Sequence, residues 1–127
     1  MKNSNEPLAL SKDQIDSVVT LYSNGQYQEA IDKIKTLNEN YPNVPLLFNL
    51  IGACYKALGE LEGASQMFEK AITMKPDYAE AYKNLGITLK DLGQLDAAVN
   101  SLKKSISIEP NYIDAHYNLA ITFRALN

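Results

Sequence analysis

PLLFNLIGACYKALGELEGASQMFEKAITMKPDY, residues Pro45 to Tyr78, decides the fold, because its landmarks recur on both sides at one spacing. Gly59, Ala64 and Pro76 have counterparts 34 residues earlier in Gly25, Ala30 and Pro42. They have further counterparts 34 residues later in Gly93, Ala98 and Pro110. Three residue classes sharing one period mark an array of repeated supersecondary units.

With Pro45 opening a unit, the units run 11–44, 45–78 and 79–112, followed by a partial unit or terminal helix at 113–127. Residues 1–10 are expected to form a flexible lead. Each unit reads as two antiparallel helices, A and B, joined at the glycine, where a left-handed C-cap is wanted and no Cβ obstructs it. The A helices are predicted at 12–23, 45–57, 79–91 and 113–125, and the B helices at 27–39, 61–74 and 95–108. Pro42, Pro76 and Pro110 lie just past each B helix and stop it. Ser11 with Gln14 has capping-box spacing, and Leu10 with Ile15 fits a hydrophobic staple. Asp77 with Glu80, and Asn111 with Asp114, have N-cap spacing. Asn127 could adopt a left-handed cap at the end of the last helix. Val18, Gly52, Gly86 and Ala120 recur at one A-helix site, and Ala30, Ala64 and Ala98 at the facing B-helix site. Small residues there let the backbones approach, with Phe48, Tyr55, Phe68, Tyr82, Leu102 and Phe123 filling the space around them.

The middle unit carries Phe48, Ile51, Gly52, Tyr55, Gly59, Ala64, Phe68, Ala71 and Pro76. The next carries Tyr82, Leu85, Gly86, Leu89, Gly93, Ala98, Leu102, Ser105 and Pro110. Over about residues 11 to 127 this pattern resembles the tetratricopeptide repeat family. Ser105 departs slightly from the family's usual Ala. The resemblance implies an all-α fold of seven helices: a right-handed superhelix of stacked antiparallel helix pairs, of the kind found in O-linked N-acetylglucosamine transferase. Gln14 and Ser17 replace large apolar residues of later units, so the degenerate first unit reads as an N-terminal cap. Leu119, Phe123 and Leu126 belong to a stripe that a following B helix would cover. Either the chain is a fragment of a longer protein, or Leu119, Phe123 and Leu126 are the residues through which the exposed end pairs with another copy.

Composition narrows the function classes. Of 127 residues, 46% are hydrophobic and 21% charged, as in ordinary globular proteins, and the net charge is −3. No face concentrates positive charge, so nucleic acid is not an expected partner. The apolar stretch from Val44 to Tyr55 is broken by Asn49 and too short to span a bilayer, so no membrane is expected either. No secretory signal is evident, and the single cysteine suits a reducing cytoplasm.

Chemistry is sparse. His116 occupies the aromatic site of Phe48 and Tyr82 and is expected to be a partly buried packing residue. Cys54, among apolar neighbours, reads as a small buried hydrophobe rather than a nucleophile. The glycines are explained by turns or close helix contacts, leaving no phosphate-cradling motif. No catalytic residue, metal or cofactor is expected, and the chain does not read as an enzyme. Tyr78 and Tyr112 fall between units, as packing or contact residues.

The resemblance implies a groove lined mainly by A helices. By register its sites hold Lys12, Ile15, Asp16, Val19 and Tyr22, then Leu46, Asn49, Leu50, Ala53 and Lys56. They continue with Glu80, Lys83, Asn84, Ile87 and Lys90, then Asp114, Tyr117, Asn118, Ile121 and Arg124. Of these, Val19, Asn49, Leu50, Ala53, Lys56, Lys83, Asn84, Ile87, Lys90, Tyr117, Asn118, Ile121 and Arg124 are the candidate partner contacts. Asn84 and Asn118 share a site and are similar to the asparagine ladder of the transferase superhelix, with Leu50 interrupting it. Either they bond a partner's backbone, or they are solvated or bond a neighbouring helix. Positive charge from Lys56, Lys83, Lys90 and Arg124 is largely balanced by Asp16, Glu80, Asp91 and Asp114. Co-chaperone members of the family clamp a C-terminal carboxylate with a Lys-Asn-Asn-Lys-Arg set. Ile15 and Val19 stand at the first of those sites, so that clamp is not expected. The expected function is a protein-interaction scaffold that binds an extended or helical segment of a protein partner. Rival readings are a substrate-recruiting arm of a larger enzyme, such as a glycosyltransferase, and a homo-oligomerisation element.

Overall fold

The computed structural model describes residues 9–127, all helical apart from short connections. The helices are α1 (Lys12–Ser23), α2 (Tyr27–Asn40), α3 (Pro45–Ala57), α4 (Leu61–Met74), α5 (Ala79–Asp91), α6 (Leu95–Ile108) and α7 (Ile113–Leu126). The predicted lead at 1–10 falls, except for Ala9 and Leu10, outside the described residues. Each helix packs on its neighbours in sequence. Helices α3, α5 and α7 also touch in turn, so these three A helices form one continuous layer.

The turns follow from two backbone constraints. Gly25, Gly59 and Gly93 have φ of 77°, 81° and 81°, and no other described residue has positive φ. The residue after each glycine closes a Schellman motif: Gln26, Glu60 and Gln94 each donate to the carbonyl of Leu21, Tyr55 and Leu89 at 2.9 Å. At the other end of each hairpin, Tyr41, Lys75 and Glu109 precede proline and leave the helical region (φ −132°, −136° and −129°). Proline's ring disfavours helical geometry in the residue before it. The chain therefore turns sharply at glycine inside a hairpin and opens at X-Pro between hairpins.

Ser11 forms the capping box: its Oγ accepts from the Gln14 amide (3.2 Å), and its own amide donates to Gln14 Oε1 (2.9 Å). The spacing at Asp77 and Asn111 misleads. The N-caps of α5 and α7 are Tyr78 and Tyr112, and neither side chain makes a cap hydrogen bond. Half-buried tyrosines anchor these turns, and the buried Ala79 and Ala81 set the start of α5. Asn127 follows α7 directly, and its amide donates to the Arg124 carbonyl at 3.3 Å.

The core sits between A and B layers. One cluster joins Val18, Ile31, Ile34, Leu47 and Ile51, and a second joins Phe68, Leu85, Leu89 and the alanines at 64 and 98. The A-helix glycines make room for a large B-helix side chain more than for the alanine. A Cβ on Gly52 would lie 2.6 Å from Phe68 Cε1, and one on Gly86 would lie 2.6 Å from Leu102 Cγ. The first hairpin solves the same contact with Val18 against Ile34, both buried. Ser105 is buried, and its Oγ donates to the Ala79 carbonyl at 2.8 Å, which ties α6 to the start of α5.

Two expectations fail on α7, which packs on α6 but is followed by no B helix among the described residues. His116 is exposed, and its Nε2 donates to the Pro110 carbonyl at 2.8 Å. Phe123 is 42% exposed, with the Lys103 ammonium 5.7 Å from its ring centroid. Ala120, at the small-residue site, is exposed for the same reason. Leu126 is exposed and Leu119 half-buried.

Candidate functional site

Helices α1, α3 and α5 present adjoining cavities on the A-helix face. One, of about 380 Å³, is bordered by Val19, Tyr22 and Ser23 from α1, Asn49, Leu50 and Ala53 from α3, and Glu80, Lys83 and Asn84 from α5. The other, of about 250 Å³, shares Tyr22, Ala53 and Asn84 and extends to Lys56, Leu61, Phe68 and Asp91. A shallow alanine at position 53 leaves the space, while Val19 and Tyr22 (41% and 38% exposed) give it an apolar edge. Tyr22 is held by an edge-on contact with Tyr27, with ring centroids 5.4 Å apart. Burial pushes the Tyr22 phenol above its ordinary value, with Tyr27 and Cys54 adding and Lys83 opposing.

The structure thus gathers Val19, Asn49, Leu50, Ala53, Lys56, Lys83 and Asn84 around one groove. It leaves Ile87, Lys90, Tyr117, Asn118, Ile121 and Arg124 off these cavity walls. Tyr117, on α7, is 65% exposed, Arg124 is exposed, and Ile121 is half-buried. Ser23, Ala57, Leu61 and Phe68 also border the cavities. The A-helix register does not single them out, because they belong to helix ends or to the B helix behind.

Several polar groups are already engaged. Asn84 Nδ2 donates to Asn49 Oδ1 at 3.0 Å, linking α5 to a nearly buried Asn49 on α3. Asn118 Nδ2 donates to the Asp114 carbonyl of its own helix at 2.8 Å. The two asparagines that share a register site therefore make different internal bonds. The Lys83 ammonium lies 3.5 Å from Asp114 and 5.6 Å from the Tyr112 ring centroid, with the side chain only 14% exposed. Lys90 lies 3.7 Å from Asp91. Lys56 is absent from the ion pairs formed among the described residues.

Tyr78 and Tyr112 occupy the turns behind this groove. Tyr78 lies under the Lys75 ammonium at 4.8 Å, and burial raises its phenol, with Glu80 and Tyr112 adding and Asn49 opposing. Tyr112 is pushed up to about 12, by burial first and then by Glu80, Asp114 and Glu109. Cys54 lies behind the groove, buried at the site where α5 and α7 carry Thr88 and Thr122. Burial pushes its thiol up to about 11, which suits a packing residue rather than a nucleophile. Among the described residues no group of three or more His, Cys, Asp or Glu side chains could hold a metal ion. No helix among them is long and apolar enough to cross a membrane.

Stacked helix pairs with glycine and proline punctuation agree with a direct family comparison. The TPR repeat family model matches residues 52–93 and 88–126, more than half of the chain. The chain belongs to the tetratricopeptide repeat (TPR) family. It is 34% identical over 65 residues to anaphase-promoting complex subunit 3 of Dictyostelium discoideum, covering 51% of this chain and 7% of that protein. It is 33% identical over 78 residues to the peroxisomal targeting signal receptor of Kluyveromyces lactis, covering 57% of this chain and 14% of the receptor. The TPR chain thus spans a small part of each relative's length. Among solved structures, the first TPR of Spaghetti (RPAP3) bound to the HSP90 peptide SRMEEVD superposes with a TM-score of 0.85. The two share 24% sequence identity over 89% of this chain and 90% of that one. That likeness establishes the all-α TPR superhelix.

Proposed function

We propose that this TPR chain is a protein-interaction module that holds a peptide segment of a partner in the groove of α1, α3 and α5. The observation that carries the reading is the pair of adjoining cavities lined by Val19, Leu50, Ala53 and Tyr22. Apolar surface left open between charged neighbours marks a contact site. Support comes from the structurally similar TPR that holds an HSP90 peptide. The chemistry of the occupant differs here. Ile15 and Val19 stand where a carboxylate clamp would need polar and cationic groups, and Lys83 is already paired with Asp114. The fitting ligand is a segment that seats an apolar side chain against Val19, Leu50 and Ala53. Asn84 donates one hydrogen bond to Asn49, and an amide has further capacity to meet the ligand's backbone.

The test is capture from host lysate, read by mass spectrometry, with wild type beside Val19→Glu and Ala53→Glu. Both substitutions place charge in the groove without touching the buried core. A prey captured by wild type and lost by both variants is expected. A prey retained by both overturns the groove reading.

A second reading, self-association through α7, is favoured by Ile113, Tyr117, Phe123 and Leu126, all of which are exposed. Light scattering across a concentration series should show mass rising with concentration in wild type and a constant monomer in Phe123→Glu. A wild type that stays monomeric throughout removes this reading.

A further inference from the structure

The three glycine turns share a backbone and differ in the residue before the glycine. Leu58 and Leu92 precede Gly59 and Gly93, whereas Asn24 precedes Gly25. Asn24 is exposed. An asparagine followed by glycine carries its own reaction. The next main-chain nitrogen can close a five-membered ring on the side-chain carbonyl carbon, and glycine has no side chain to obstruct the closure. Space for the ring is open, since a Cβ built on Gly25 would meet nothing within 4 Å.

The folded turn holds this reaction back. Asn24 has a ψ of 2°, which turns the Gly25 nitrogen away from Asn24 Cβ. The Gly25 amide donates to the Tyr22 carbonyl at 3.0 Å, and the Gln26 amide to the Leu21 carbonyl at 2.9 Å. Rotating ψ into the attacking geometry breaks both bonds. Little packing resists that opening. Val18 is the one buried residue of α1, whereas α2 and α3 bury four and five. Elements with few buried contacts open locally at less cost than global unfolding.

We propose that Asn24–Gly25 is a spontaneous modification site whose product unhooks α1 from α2. When the turn opens, the Gly25 nitrogen bonds to Asn24 Cγ and the Cγ–Nδ2 bond breaks. The Gly25 amide proton leaves with Nδ2 as ammonia. Water then opens the succinimide ring. Attack at Cγ gives aspartate. Attack at the Asn24 main-chain carbonyl gives isoaspartate, in which the chain runs on through Cβ and Cγ. The net change is water gained and ammonia lost, with no oxidant or reductant. Isoaspartate lengthens the main chain by one carbon before Gly25, so the two bonds that close the Schellman motif lose their register. Either product adds a carboxylate at the C-terminal end of α1, where the helix carbonyls already gather negative charge. Tyr22, on the last turn of α1 and 5.4 Å from the Tyr27 ring, is released with it. Val19 and Tyr22 edge the groove, so the modified chain loses groove binding. That consequence rests on the groove reading; the modification itself does not.

The experiment incubates the whole chain at pH 8 beside the peptide Tyr-Ser-Asn-Gly-Gln-Tyr, the sequence of residues 22–27. Peptide mapping by mass spectrometry, with methyl transfer by an isoaspartyl methyltransferase, reads isoaspartate at position 24. Conversion in the folded chain should be about thirtyfold slower than in the peptide, the factor for two hydrogen bonds broken in the opening. Val18→Ala, which loosens α1 without touching the turn, should raise the rate toward that of the peptide. The isoaspartate form, separated from unreacted chain by ion exchange, should lose the nuclear Overhauser contact between the Tyr22 and Tyr27 rings. The proposal is overturned by an Asn24 still intact after about a hundred half-lives of the peptide. A rate unchanged by Val18→Ala, or an isoaspartate form that keeps the Tyr22–Tyr27 contact, overturns it too. A prey indifferent to Val19→Glu and Ala53→Glu would remove the groove reading alone, because the conversion and the ring contact are read without any ligand.

Discussion

Gly52→Ala should destabilise the wild-type protein but stabilise a Phe68→Ala background. The new methyl would lie 2.6 Å from Phe68 Cε1, 2.8 Å from Cδ1 and 3.0 Å from Cζ. Phe68 is fully buried, so its ring cannot swing into solvent to give way. Overpacking of this kind costs about 1–3 kcal/mol. Against it stands the helix-propensity gain of Ala over Gly, about 0.5–1 kcal/mol. The net loss in wild type is then about 1–2 kcal/mol. Phe68→Ala alone should cost about 3–5 kcal/mol through lost burial and the void it leaves. In that void the methyl added at position 52 meets no ring, and only the propensity gain of about 0.5–1 kcal/mol remains. The cycle should therefore close with a coupling of about 2 kcal/mol. Urea unfolding followed by far-ultraviolet circular dichroism measures all four corners. Gly63→Ala is the internal control: its Cβ would sit an ordinary 3.7 Å from Tyr55, so it should stabilise by about 0.5–1 kcal/mol. A Gly52→Ala protein as stable as wild type, or an identical effect in both backgrounds, would refute the contact argument.

Three further outcomes follow from buried polar groups. Ser105→Ala removes the hydrogen bond to the Ala79 carbonyl and should cost about 1 kcal/mol in the same urea assay; an unchanged midpoint would remove that bond from the account. The Cys54 thiol, at about 11 against an ordinary 9.0, should react with a disulfide reagent at pH 8 about a hundredfold more slowly in the folded than in the unfolded chain. Equal rates would show that the site is not buried as described. Tyr112 holds its proton more tightly folded, near 12, than unfolded, near 10.0. Its contribution to stability is complete below pH 10 and is lost as pH rises through about 12. Spectrophotometric titration of wild type against Tyr112→Phe should isolate a single phenol with a difference midpoint near 12, and a midpoint near 10 would contradict that placement.

The helices were legible because their ends depend on local backbone chemistry. All seven begin at the predicted residue, and only α2 and α7 run one residue further. Glycine with positive φ and residues preceding proline set those limits without help from distant parts of the chain. The polar side chains were not legible in the same way. Asn84 finds Asn49, which lies 35 residues away rather than one repeat, whereas Asn118 turns back to its own helix. Register says which side chains share a helix face, but not which neighbour takes a hydrogen bond first. The same limit explains Lys83, whose partner Asp114 sits on the next A helix. His116 failed for another reason: its aromatic site is a packing site only where a B helix follows in the same hairpin, and among the described residues none follows α7.

The candidate groove draws on the first hairpin, where the repeat's own packing chemistry is broken, through Val19 and Tyr22 from α1. In that hairpin the Gly52–Phe68 contact is rewritten as Val18 against Ile34, and the Ile72 site is rewritten as Asn38. The two changes are not equivalent. The first moves volume from the B helix to the A helix and leaves both side chains buried, so packing alone explains it. The second leaves an acceptor without a donor inside the protein, so packing alone does not. If Asn38 serves only the fold, Asn38→Ile should raise the urea midpoint, because an apolar side chain replaces an unbonded buried acceptor; a lower midpoint would show that a bound water already satisfies the amide.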